Sequence, residues 1–386
     1  MPTINLPSAD GRLRPYSTRP PRNFPSRARA SFNRIAFAAS HVVADALADN
    51  DPWLDASVDW DATMAYRRHL WGLGLGVADA MDTAQRGMGL DWPTSLELIR
   101  RSVEAARNVP GALLFCGAGT DHLAAGATID AVIRAYEEQV GAIEKLGGRI
   151  VLMASRALAA AARGPEDYAR VYDRILSQLA DKAIIHWLGD MFDPALAGYW
   201  GDRDLDAAAE TALDVIARNA AKIDGVKISL LDKDREIAMR RRLPQGVRMY
   251  TGDDFNYAEL IAGDGERHSD ALLGIFDGIA PAASAALAAL ARGSDNEFHD
   301  ILAPTVPLAR HIFKAPTRFY KTGLVFMAYL NGHQRHFVMV GGQESARSIL
   351  HLAELFRLAD AAGLLADPEL ARARMAAVLK TRGIEP

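Results

Sequence analysis

Lys227 stands in the run Gly225-Val226-Lys227-Ile228-Ser229, which is otherwise apolar or small. Burying a charged ammonium is costly, so desolvation lowers the pKa of such a lysine. The neutral amine it favours is the nucleophile that forms a Schiff base with a carbonyl. Strand alternation points Lys227 inward if Val226 and Ile228 face surrounding helices. A strand-end lysine paired with a neighbouring aspartate is the alternative, and the run alone leaves both open. Polar residues follow several other apolar runs: Asp79, Asp82, Thr83 and Arg86; Asp121 and His122; Ser155 and Arg156; His186 and Asp190; Gly252, Asp253 and Asp254. Carboxylates and hydroxyls of this kind suit a hydroxylated ligand. They also supply metal-ligand types, although no His-Glu-x-x-His pattern exists. Gly117 and Gly119 would let backbone approach a ligand. Gly72-Leu73-Gly74-Leu75-Gly76 mimics a dinucleotide fingerprint, but it follows a helix and precedes a strand, the wrong order.

Eight short apolar runs would position these residues: 35–43, 75–81, 112–116, 149–154, 182–188, 225–230, 247–251 and 271–276. Each has the length and continuous apolarity of a buried parallel strand. Helical patterns lie between them. Thr94-Ser95-Leu96-Glu97 reads as a capping box. Ile129, Val132, Ile133, Tyr136, Val140 and Ile143 form one apolar stripe stopped by Gly147, and Pro165 opens the next helix. This alternation predicts a (β/α)8 barrel over residues 35–292, with an open doubly wound sheet as the competitor. Active sites of such barrels lie at the C-terminal strand ends, where the polar residues above fall.

From residue 293 to 386 helical stretches follow one another, which predicts a C-terminal helical extension. Phe337 to Val340 reads as helix by its neighbours, with a strand as the alternative, and His333 and His336 read as helix-surface residues. Residues 1–34 form a basic arm. No acidic residue occurs from Gly11 to Ala44, while Arg12, Arg14, Arg19, Arg22, Arg27, Arg29 and Arg34 do. Pro15, Pro20, Pro21 and Pro25 oppose an amphipathic helix and favour an extended arm packed on the protein or on a neighbouring subunit.

The chain has 386 residues, 49% of them hydrophobic and 24% charged, enough apolar surface for a sizeable core. A formal net charge of -4 argues against a nucleic-acid binder. No apolar run approaches the roughly 18 residues of a membrane helix. The single cysteine, Cys116, excludes an intrachain disulfide and fits a cytoplasmic location.

The lysine strand followed by Tyr250-Thr251-Gly252-Asp253-Asp254 resembles the dihydrodipicolinate synthase / N-acetylneuraminate lyase superfamily, as a divergent branch. Gly278-Ile279-Ala280-Pro281 resembles its strand-eight exit. Val58-Asp59-Trp60-Asp61, Gly74 and Asp82-Thr83-Ala84-Gln85 fit its first βα units in order. The resemblance implies a class I aldolase-like lyase using Lys227, without a cofactor, in a homodimer or homotetramer. Where that family has paired threonines for an α-keto carboxylate, this chain has Asp82-Thr83, and Asp82 would repel a carboxylate unless Arg86 offset it. The family's proton-shuttling tyrosine falls at His186, whose pKa near neutrality suits acid–base work. A histidine hydrogen-bonded in the barrel core is the alternative.

These readings lead to one expectation: a Schiff-base lyase, aldolase or dehydratase with Lys227 and His186 as catalytic residues. Asp82, Thr83, Arg86, Asp121, His122, Asp190, Ser229, Gly252, Asp253 and Asp254 form the substrate-binding set. Few cations accompany them, so a phosphate ester is disfavoured and a polyhydroxylated keto compound, a keto-sugar or sugar-derived keto acid, is expected. The alternatives are a divalent-metal-dependent barrel isomerase or aldolase, and a non-catalytic sugar-binding barrel.

Overall fold

A computed structural model describes residues 2–25 and 32–386. Eight parallel strands, β3 (Ala36–Ala39), β4 (Gly76–Asp79), β5 (Leu114–Ala118), β6 (Arg149–Leu152), β7 (Ala183–Leu188), β8 (Ile223–Ser229), β9 (Arg248–Thr251) and β10 (Asp270–Leu273), close into a barrel in sequence order. β10 pairs with β3 to complete the ring, so no edge is left open. The chain is a (β/α)8 barrel with a helical C-terminal extension.

Two apolar layers fix which side chains enter the barrel. Phe37, Ala39, Ala78, Phe115, Val151, Ile184, Tyr250 and Leu272 pack together inside it. Phe37 meets Phe115 edge-on at 5.3 Å and Tyr250 at 6.0 Å between ring centroids. Gly76 and Gly225 make room for these rings, since a Cβ would lie 2.4 Å from Phe37 and 2.6 Å from Tyr250. The residues that alternate with these along each strand face the helices outside. With Ile184 inward, alternation turns His186 inward as well. It pairs in register with Lys227 of β8.

The helix Trp92–Arg107 begins two residues before the expected box, because Asp91 accepts a hydrogen bond from the Thr94 amide and caps it. Phe337 to Met339 is irregular rather than helical, and Val340 opens a 3-10 segment that runs to Ser345. His333 and His336 do not lie on a helix surface. His333 follows the helix Tyr320–Leu330 and packs against Tyr66 and His69.

The extension covers the barrel. Every residue of the helix Tyr320–Leu330 is buried, including Leu324, Val325, Phe326, Met327 and Leu330, so these side chains are consumed inside one chain. Phe313 stacks on Tyr320 at 4.5 Å, and both rings meet Phe192 of the β7 loop. Gly274, just after β10, admits them: a Cβ there would lie 3.0 Å from Phe313 and 3.2 Å from Tyr320.

The N-terminal arm forms an antiparallel hairpin, β1 (Thr3–Pro7) and β2 (Leu13–Ser17). It docks on the helix Ile349–Ala361. The Tyr16 hydroxyl donates to Asp360 at 2.7 Å, the Arg19 amide donates to the same carboxylate, and Arg357 donates to the Pro7 carbonyl. Arg27 and Arg29 lie outside the described residues. Among those described, no helix is long and apolar enough to cross a membrane.

Candidate active site

A cavity of about 350 Å³ opens at the C-terminal end of the barrel. That size suits a small-molecule ligand. Lys227 and Ser229 of β8, His186 of β7, Asp82 and Thr83 after β4 and Asp254 after β9 all line it. These six of the expected site residues are thus brought together.

Lys227 is 7% exposed, and its amine makes no hydrogen bond or ion pair among the described residues. Burial pushes its pKa down, while the charges of Asp254 and Asp82 pull it partly back. Burial also raises Asp254, to about 7, against a hydrogen bond from the Ile275 amide and the charge of Lys227. Burial thus pushes both members of this oppositely charged pair toward their neutral forms. His186 is fully buried. Its pKa lies well below the ordinary value, first through burial and then through repulsion by Lys227. Its Nε2 lies 3.2 Å from Ser229 Oγ, and its Nδ1 has no partner. Gly252 lets β9 approach this pair closely, because a Cβ would meet Ser229 Oγ at 2.2 Å.

Five other expected residues lie elsewhere. Arg86 is buried beyond Asp82 and is fully engaged. It donates to both oxygens of Asp121, to Gln139 at 2.9 Å and to the carbonyls of Ala80 and Gly117. This bidentate pair is internal bracing and leaves no free guanidinium to offset Asp82. His122 Nδ1 accepts at 2.9 Å from the Gln139 side-chain amide on the outer side of that brace. Asp190 is exposed and lines no part of the cavity. Asp253 spends its carboxylate on the amides of Phe255 and Asn256 and on the Asn256 side chain, which shapes the β9 loop. Asp79 is likewise committed, to the buried Arg67 at 2.7 Å.

Several lining residues escaped the sequence reading. Tyr320 and Lys321 descend from the extension, with Arg318 and Phe319 beside them. The Tyr320 hydroxyl lies 2.8 Å from Thr83 Oγ1. Lys321 is buried, and burial lowers its pKa to about 8 against the pull of Asp82. Arg156 pairs with Asp193 at the rim. A usable signal existed: Lys321 opens the otherwise apolar stretch Leu324 to Leu330, as Lys227 interrupts an apolar strand. Among the described residues, no three His, Cys, Asp or Glu side chains converge to hold a metal ion.

A barrel of this topology with a helical extension is the fold of the dihydrodipicolinate synthase structures. The chain is similar to the prophage protein YagE of E. coli K12, of the dihydrodipicolinic acid synthase family and solved with pyruvate. That likeness has 11% identity and a TM-score of 0.64 over 92% of this chain and 100% of that one. It is similar to the chloride-inhibited dihydrodipicolinate synthase of Acinetobacter baumannii, with 16% identity and a TM-score of 0.62 over 86% and 99%. For the dihydrodipicolinate synthase of Aquifex aeolicus the values are 11% and 0.60 over 91% and 98%. No curated protein matches the chain by sequence. The family profile described as "Protein of unknown function (DUF993)" matches residues 4–384, and the chain belongs to that family.

Proposed function

We propose that the protein is a Schiff-base-forming lyase, aldolase or dehydratase acting on a small, polyhydroxylated, non-phosphorylated keto compound. The observation that carries this reading is Lys227, a buried amine without a hydrogen-bond partner on the floor of the barrel-mouth cavity. The neutral amine attacks the substrate carbonyl, and the nitrogen proton passes to the new alkoxide. Loss of water from this carbinolamine, with a proton supplied to the departing hydroxyl, leaves the iminium. That cation accepts the electron pair released when an adjacent C–H or C–C bond breaks. Asp254, with its pKa near 7, is placed to give and take the proton. His186 acts as a neutral imidazole that positions substrate by hydrogen bonding, because its surroundings oppose protonation. Tyr320 and Thr83 supply a second hydroxyl pair on the opposite wall.

Asp82, Thr83 and Ser229 supply acceptors and donors for substrate hydroxyls. The reading needs no cofactor. A homodimer or homotetramer in the cytoplasm belongs to the same proposal. The test is reduction with borohydride in the presence of keto-sugars, sugar-derived keto acids and pyruvate, followed by peptide mass analysis. One substrate mass, less the oxygen lost as water, is expected on Lys227. Labelling of other lysines only, or an unlabelled chain with every probe, would refute the mechanism.

A further inference from the structure

The roof of the cavity carries a second buried amine with an unusual environment. Lys321 is 4% exposed, yet its nearest polar contacts are the Met88 sulfur at 3.1 Å and the Arg318 carbonyl at 3.2 Å. Among the described residues it has no carboxylate within ion-pair distance. Buried cations elsewhere are provided for. Arg67 has Asp79, Arg86 has Asp121 and Arg240 has Asp264, while Arg347 is held by the carbonyls of Lys314, Ala315 and Pro316. A buried charge lacking a counter-ion is destabilising unless something else pairs with it.

That lysine belongs to a firmly built wall of the cavity. Arg347 holds the loop that leads into the helix, and Thr322 ties the helix to the Gln343 carbonyl at 2.8 Å. Arg318, which forms no ion pair among the described residues, lines the same wall. Lys227 rises from the floor on β8, and Asp82 lines the same cavity as both amines.

We infer that this roof is a carboxylate site centred on Lys321, and that the substrate carries its carboxylate remote from the carbonyl that meets Lys227. The inference rests on the Schiff-base reading for the carbonyl end alone. One cavity thus holds a floor amine on β8, hydroxyl acceptors and a roof amine from the extension, which match a carbonyl, hydroxylated carbons and a carboxylate. Asp82 excludes a carboxylate next to the carbonyl and accepts hydroxyls instead. A phosphate dianion fits less well, because its second charge would face Asp82, Arg156 is already paired with Asp193, and the unpaired Arg318 is exposed to solvent rather than buried beside Lys321.

Four probes separate these cases: 5-keto-D-gluconate, 2-keto-D-gluconate, D-fructose and D-fructose 6-phosphate. Each is titrated in borohydride trapping at Lys227 with the wild type and with Lys321→Met. Each is also titrated by calorimetry against Lys227→Ala and Lys227→Ala/Lys321→Met. Half-saturation by 5-keto-D-gluconate is expected about tenfold below that of fructose, the value of one charge-assisted contact. Lys321→Met should close that gap while leaving fructose within about twofold. No gap, a gap that survives the substitution, or tighter use of the 2-keto acid or the phosphate overturns the inference. Failure of trapping with every probe sinks the Schiff-base reading instead, and the calorimetric pair still decides the role of Lys321.

Discussion

On the β4–β5 side of the barrel mouth, Arg86 donates to Asp121, Gln139 and two carbonyls, and this buried ion pair is saturated. On the β7–β9 side, among the described residues, Lys227 has no hydrogen-bond or ion-pair partner, His186 keeps one bare nitrogen and Asp254 is pushed toward the neutral acid. Both clusters are buried and both consist of residues that catalysis uses. A saturated network is worth stability and offers a ligand nothing. An unsaturated one stores a cost that a bound substrate can relieve. Satisfaction of polar groups, rather than their type, separates bracing from chemistry here.

The widest separation between the two sides comes from exchanging one cation on each. Arg86→Ala strands Asp121 and Gln139 and should cost about 3–5 kcal/mol in denaturant unfolding. Any protein that still folds should trap substrate at Lys227. Lys227→Ala orphans no hydrogen-bond partner and should change stability by about 1 kcal/mol or less, yet end adduct formation entirely. If Arg86→Ala is as stable as the wild type while activity vanishes, the assignment of Arg86 to bracing fails.

The sequence exposed the two sides unequally, for physical reasons. Eight barrel strands were legible because strands buried on both faces read as apolar runs. Lys227 was legible because it breaks such a run. The pairing of Arg86 with Asp121 was not, since two charges 35 residues apart carry no mark of which partner each takes. The contact between Thr83 and Tyr320 spans 237 residues and depends on how the extension folds back over the mouth. Hence the roof of the cavity escaped, although the floor did not. Asp253 and Asp254 show the same limit at close range. The two are adjacent, yet one turns into its own loop and the other into the cavity.

Lys321 extends the comparison to the roof, with a smaller effect. Its pKa is about 8 in the folded protein against 10.5 for an ordinary lysine. The unfolded chain therefore binds the proton more readily, and burial of the charged amine costs stability. That cost is full below about pH 8 and fades as pH rises toward 10.5, by roughly 3 kcal/mol for a shift of this size. Lys321→Met should accordingly raise the unfolding free energy most at pH 7 and little at pH 10. A gain independent of pH would mean that Lys321 is paired in a way the cavity does not reveal.

The finest test lies between two neighbours. Asp253→Asn keeps an acceptor for the loop amides and leaves the charge at Lys227 nearly untouched, so trapping should follow the wild-type pH profile. Asp254→Asn also keeps an acceptor for the Ile275 amide, which lies 2.8 Å from Oδ1, so the fold should survive. It removes the negative charge that favours protonated Lys227. The lysine pKa should then fall further, and the acid limb of the trapping profile should move to lower pH by about 1 unit. The maximum rate should drop at the same time if Asp254 carries the proton, because no acid of suitable pKa remains beside the amine. A shift to higher pH in Asp254→Asn, or equal shifts in both variants, would show that Asp254 does not act on Lys227 through its charge.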